Sequence, residues 1–175
     1  MKIEWAEEIE YLLSLLDIAK PDTERALSHI QVLQQRLELL DSSNRVLIMD
    51  DNKELLDLVR DVLVNQGFQV VCVSDGDSVL QELKERSQYF FHAVILDLII
   101  EGGRGGLAIL SEIRALRSDL SIILSSGHPT EFELFNDSQR FTFLHKPWRI
   151  QDIVAVLNVE CKRTRANYYM NTVNP

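Results

Sequence analysis

Asp97 closes the apolar run Ala93-Val94-Ile95-Leu96. A carboxylate at the end of a buried strand must be paired, bound to a metal or neutralised, because an isolated buried charge is strongly unfavourable. Three other apolar runs end in polar chemistry. Arg45–Met49 runs into Asp50-Asp51, Ser121–Leu124 into Ser125-Ser126-Gly127, and Phe141–His145 into Lys146-Pro147. Three acids, two hydroxyls and a lysine therefore fall just past strand ends. In a parallel sheet those ends share one edge, where open α/β folds bind their ligands.

The elements that would position these residues follow from periodicity. From Arg45 onward short apolar runs alternate with stretches of helical spacing, the pattern of βαβ units and a parallel sheet. Strands are expected at about 45–50, 68–73, 92–96, 120–124 and 141–145. Helices are expected at about 53–66, 78–87, 106–117 and 149–164, with a short, weakly patterned one opened by Pro129-Thr130. Asn52 is placed to cap the first of these helices and Gly67 to close it. Leu107, Leu110, Ile113 and Leu116 share helical spacing, as do Ile150, Ile153, Val154 and Leu157.

Residues 1–42 read differently. Trp5, Ile9, Leu12, Leu16 and Ala19 form one apolar stripe, and Ala26, Ile30, Leu33, Leu37 and Leu40 form another. Pro21-Asp22-Thr23 separates them, so the segment reads as a helical hairpin. Its seam would pack on the rest of the chain or on a second copy, giving a homodimer. The polar break Asp41-Ser42-Ser43-Asn44 sets the boundary of a globular domain over 43–165, and 166–175 reads as a loose tail.

The chain has 175 residues, 46% of them hydrophobic, enough for one well-buried domain with an appendage. A net charge of −9 argues against non-specific DNA binding and against anionic membranes. No apolar run approaches the roughly 18 residues of a membrane span. Cys72 and Cys161 form no metal or disulfide pattern and suit a reducing cytoplasm. The acidic start, Met1 to Glu8, is unlike a signal peptide.

An acidic pair after the first strand, an Asp after the third, a hydroxyl after the fourth and Lys-Pro after the fifth occur here in order. With them, residues 45–160 resemble the receiver domain of bacterial two-component response regulators. The resemblance implies a flavodoxin-like fold, a five-stranded parallel sheet between layers of helices, and a cytoplasmic phosphoprotein. It makes Asp97 the phosphoacceptor, attacking a phosphohistidine of a histidine kinase or phosphotransfer protein. It implies Mg²⁺ or Mn²⁺ held by Asp50, Asp51, Asp97 and the backbone carbonyl of Ile99, with Asp50 acting mainly through water. Clustered carboxylates repel one another, and a hard divalent ion relieves this. Lys146 would offset phosphoryl charge, Ser126 would hydrogen-bond the phosphoryl group, and Phe143 would swing inward with Ser126. Ser126, followed by Gly127, fits the pattern better than Ser125. His128, two residues further, would tune dephosphorylation.

Each residue alone has a plainer structural explanation: a turn, a helix cap, a core aromatic, a solvated lysine. Their conjunction carries the reading. His29 and His145 are taken as ordinary residues. The chain also departs from the family pattern. The segment after Asp97 lacks the usual Pro, reads as one residue longer and holds four glycines from Gly102 to Gly106, the composition of a flexible loop. Trp148 is bulky and would shape a partner surface.

Gly103–Ala108 formally fits G-x-G-x-x-A, so a nucleotide-binding α/β enzyme is the alternative of another class. It follows the third strand, however, and Asp50-Asp51 at the first would repel a pyrophosphate. Asp97-Leu98-Ile99 also lacks the second Asp of aspartyl-nucleophile phosphatases. The expected output is contact with a downstream protein target, with no DNA and no membrane, from a stand-alone receiver or the receiver end of a hybrid kinase. No enzymatic activity is expected beyond the receiver's own phosphorylation and dephosphorylation.

Overall fold

The computed structural model describes residues 43–127 and 141–173. They belong to one compact unit bounded by Glu38 and Pro175. The expected hairpin over 1–42, the helix after Pro129-Thr130 and His128 lie outside the described residues.

Five strands form the sheet: β1 (Asn44–Met49), β2 (Phe68–Val73), β3 (Ala93–Asp97), β4 (Ser121–Ser126) and β5 (Phe141–His145). All pair in parallel, in the order β2-β1-β3-β4-β5. Among the described residues, four helices cross over between them or follow: α1 (Lys53–Asn65), α2 (Gly76–Glu85), α3 (Gly106–Leu116) and α4 (Ile150–Val173). This is the doubly covered parallel sheet that the alternating pattern predicts, and its central strands are buried on both faces.

Side-chain alternation splits the core in two. Leu47, Met49, Val94, Leu96, Ile122 and Leu124 face Val79, Leu83, Ile109 and Ile113 of α2 and α3. Val46, Ile48, Ala93, Ile95 and Ile123 face Leu56, Val59, Ile153 and Leu157 of α1 and α4. Local signals set the helix ends. The Asn52 side chain accepts the Leu55 N–H at 3.0 Å, and Gly67 takes φ 87° after α1. Asp75 accepts the Ser78 N–H at 2.9 Å and starts α2 at Gly76, two residues earlier than expected.

Four expectations are corrected. β4 continues through Ser125 and Ser126, because Ser125 pairs with Asp97 and Ser126 with His145. The inner face of α3 is Gly106, Ile109, Leu110 and Ile113, while Leu107 and Leu116 are exposed. The glycines after Asp97 include two that provide clearance: a Cβ on Gly105 would lie 2.3 Å from the Leu98 carbonyl oxygen, and one on Gly106 would lie 2.9 Å from that of Asp97. Finally, residues 166–173 are helix and not a loose tail. Leu157, Cys161, Thr164 and Tyr168 form one buried stripe on α4. Its last members are polar types whose polar atoms are satisfied, so hydrophobic periodicity alone passes over them. Tyr168 donates to the Phe91 carbonyl at 2.8 Å and stacks edge-on to Tyr89. Thr164 donates to Ser121 Oγ at 2.6 Å, and the Ser121 hydroxyl donates to the Glu160 carbonyl at 3.0 Å.

Candidate functional site

Asp50 and Asp51 follow β1, and Asp97 is the last residue of β3, the strand beside it. The parallel register therefore brings three carboxylates together. One oxygen from each lies within 4.8 Å of the others, a set of potential metal ligands. Asp50 is buried, Asp97 half-buried and Asp51 exposed, so the cluster opens to solvent on one side.

Lys146 reaches in from the end of β5. Its Nζ donates to Asp50 Oδ2 at 2.6 Å and to Asp97 Oδ2 at 2.5 Å. Three further carboxylate oxygens meet backbone. Asp50 Oδ1 accepts the Asn52 N–H at 3.0 Å, Asp97 Oδ1 accepts the Ile99 N–H at 3.4 Å, and Asp51 Oδ2 accepts the Glu101 N–H at 3.1 Å. The last bond ties the loop after β3 to the acidic pair.

Burial pushes the Asp97 carboxyl above its ordinary value and the Asp50 charge adds to this, although the hydrogen bond and charge of Lys146 pull the other way. On Lys146, burial alone would lower the ammonium. Its hydrogen bonds to Asp50 and Asp97 and their charges outweigh that and raise it. The lysine stays charged, and Asp97 holds its negative charge less readily than a solvated carboxylate.

The two serines ending β4 are both buried. Alternation places Ser125 with Ile123 on the α1–α4 face and Ser126 with Ile122 and Leu124 on the opposite face. Ser125 Oγ accepts the Trp148 indole N–H at 2.9 Å, and its carbonyl accepts the Leu98 N–H at 3.1 Å. The Ser126 carbonyl accepts the Lys146 N–H at 2.8 Å. Trp148 thus packs inward against the α1–α4 core, where the sequence suggested a partner surface. Phe143 is partly exposed on β5, three residues before Lys146, and Ile99 is exposed beside Asp97.

The profile of the response regulator receiver domain matches residues 46–158. The chain belongs to that family. Among curated relatives, a putative response regulator NtrX-like protein of Rickettsia bellii (strain RML369-C) is 28% identical over 123 residues, which are 69% of this chain and 25% of that protein. The chain spans about a quarter of the length of the curated relatives it matches. Among solved structures, NtrX from Brucella abortus superposes with TM-score 0.64 at 25% identity, covering 75% of this chain and 30% of the other. A response regulator receiver protein from Sinorhizobium medicae WSM419 shares the fold, with TM-score 0.62, 22% identity and coverage of 70% and 98%.

The receiver fold brings together Asp50, Asp51, Asp97 and Lys146, which the sequence singled out at separate strand ends. Within the Gly103–Ala108 stretch, read as an alternative nucleotide loop, Gly105 and Gly106 are explained by close backbone packing. Arg104 within it was not singled out. It donates to Asp77 at 3.0 Å and to the Ala108 carbonyl at 3.1 Å and pairs with Glu112, while its own carbonyl accepts the Gly76 N–H at 2.8 Å. Its partners come from both α2 and α3, so no local pattern announces it. Among the described residues, no helix is long and apolar enough to cross a membrane.

Proposed function

We propose that this receiver accepts a phosphoryl group on Asp97 from the phosphohistidine of a histidine kinase or phosphotransfer protein. The supporting observation is one constellation: three carboxylates within 4.8 Å, with Lys146 bridging Asp50 and Asp97. Asp97 Oδ attacks phosphorus, and a P–O bond forms as the P–N bond breaks. The electron pair of that bond passes to the donor imidazole, which leaves neutral when its other ring nitrogen carries a proton. Lys146 faces the oxygens on which charge develops, and fixed positive charge there favours the transition state.

The donor set suits a hard divalent cation, because all its side-chain ligands are carboxylates and one side is open to water. Mg²⁺ or Mn²⁺ would be held by Asp50, Asp51, Asp97 and the Ile99 carbonyl, and would offset carboxylate repulsion and phosphoryl charge. Ser126 would turn toward the phosphoryl group and Phe143 inward with it, changing the exposed surface around β5 that a downstream protein reads. His128 is proposed to tune hydrolysis, and residues 1–42 to mediate a homodimer. The same phosphoryl transfer would serve a stand-alone receiver or the receiver end of a hybrid kinase.

The test is incubation with acetyl phosphate and Mg²⁺. The mass should rise by one phosphoryl group in the wild type and stay unchanged in Asp97→Asn. Equal labelling of both would overturn the assignment.

A further inference from the structure

Lys146 must be held where its ammonium spans Asp50 and Asp97, yet the residue after it cannot help. Pro147 has no N–H, so the backbone offers no further donor directly beyond the Lys146 N–H bond to the Ser126 carbonyl at 2.8 Å. The next anchor along the chain is a side chain. Trp148 Nε1–H donates to Ser125 Oγ at 2.9 Å, and Ser125 is the register partner of Asp97. Ser125 also accepts the Leu98 N–H at 3.1 Å. The Lys146-Pro147-Trp148 segment is thus fastened to β4 on both sides of the proline. One fastening is the residue beside the proposed phosphoacceptor.

We infer that Trp148 is a positioning residue for phosphoryl transfer, its indole N–H fixing Ser125 and thereby the placement of Lys146 against Asp97. The inference rests on the proposed role of Asp97. It also makes Ser125 the fixed post beside Asp97, on the opposite face of β4 from Ser126. The half-buried indole N–H needs an acceptor in any case, and Ser125, 1% exposed, supplies it. Apolar packing of the ring against the α1–α4 core would serve the fold as well without that bond. The hydrogen bond is therefore the part that bears on the site.

Trp148→Phe keeps an aromatic ring, smaller than the indole, and deletes the donor, whereas Ser125→Ala keeps the donor and the indole packing and deletes the acceptor. Both, and the double variant, are compared with the full wild-type chain by acetyl phosphate labelling across an Mg²⁺ titration, with urea midpoints measured alongside. Each single variant should lower the maximal labelling rate by at least about threefold, since small misplacements of a charged group are amplified in rate. The Mg²⁺ half-saturation should stay unchanged, and the double variant should be no slower than the slower single one. Wild-type rates in either variant, multiplying effects in the double, or a shift in Mg²⁺ half-saturation would overturn the inference. Should Trp148→Phe fail to fold, Ser125→Ala decides alone. A wild-type chain that takes up no phosphoryl group defeats the reading of Asp97 itself, a result distinguishable from a labelled wild type with indifferent variants.

Discussion

Lys146 and Asp97 meet at 2.5 Å although 49 residues separate them in the chain. The same ammonium holds Asp50, 96 residues away, at 2.6 Å. Lys146 therefore binds β5 to β1 and β3 electrostatically at the edge where the three carboxylates gather. Replacing it leaves two poorly solvated carboxylates without their cation. Lys146→Met should destabilise the apo protein by about 1–3 kcal/mol, less than for a fully buried pair because the site is partly open. It should also slow labelling by acetyl phosphate. Urea denaturation with and without Mg²⁺ checks this, and the loss of stability should shrink as the cation is added.

The raised Asp97 carboxyl predicts a pH dependence. A native state that holds its proton more tightly than the unfolded chain is destabilised as pH rises from the ordinary carboxylate value through the raised one. The penalty is then present at neutral pH, where the proposed divalent cation would relieve it. Mg²⁺ at ten times its dissociation constant should stabilise the chain by about 1.4 kcal/mol. Thermal melts should show this shift at pH 7 and little of it below the carboxylate range. In Asp97→Asn the Mg²⁺ shift should be reduced at pH 7. The raised Lys146 ammonium contributes with the opposite sign: its support is complete below the ordinary lysine value and is lost as pH climbs through the raised one.

Gly105→Ala should be costly even though glycine-to-alanine changes in open loops are often mild. The new Cβ would fall 2.3 Å from the Leu98 carbonyl oxygen, a backbone atom that cannot step aside. A loss of about 1–3 kcal/mol is expected, as for other overpacked positions. Gly127→Ala, whose Cβ would meet nothing within 4 Å, is the control. Equal urea midpoints for the two variants would contradict the close-approach reading.

Tyr168→Phe should lower stability by about 1 kcal/mol, because the Phe91 carbonyl loses its donor in a buried setting. Tyr168→Ala should lose about 3–5 kcal/mol, the range for removing a buried aromatic ring. Burial also raises the Tyr168 hydroxyl well above the ordinary tyrosine value, so this contribution should decline only as pH rises past about 10. Chemical denaturation of the two variants would measure the worth of residues 166–173.

The strand ends were legible because they combine two strong signals, a β-branched apolar run and an abrupt polar residue. Asp50 with Asp51, Asp97, and Lys146 stand at three such junctions, and the parallel register converts them into one cluster. The ends of β4 and α4 were harder to read. Ser125 and Ser126 look like a turn by composition, yet pairing with Asp97 and His145 makes them strand. Thr164 and Tyr168 look like surface by polarity, yet their hydroxyls reach Ser121 and Phe91. The bond from Trp148 to Ser125 and the contacts of Arg104 depend on which elements lie side by side, which periodicity along one chain does not encode.

Helix α4 has 24 residues, about 36 Å at 1.5 Å per residue. The strands have five or six, about 20 Å at most. The helix begins just after Lys146 and Trp148 and passes Ser121 at the start of β4, so it outruns the sheet toward the pole away from the carboxylates. A label attached near the end of α4, at the exposed Tyr169 or Met170, would thus lie away from the three carboxylates and could report on tumbling or assembly without shielding them.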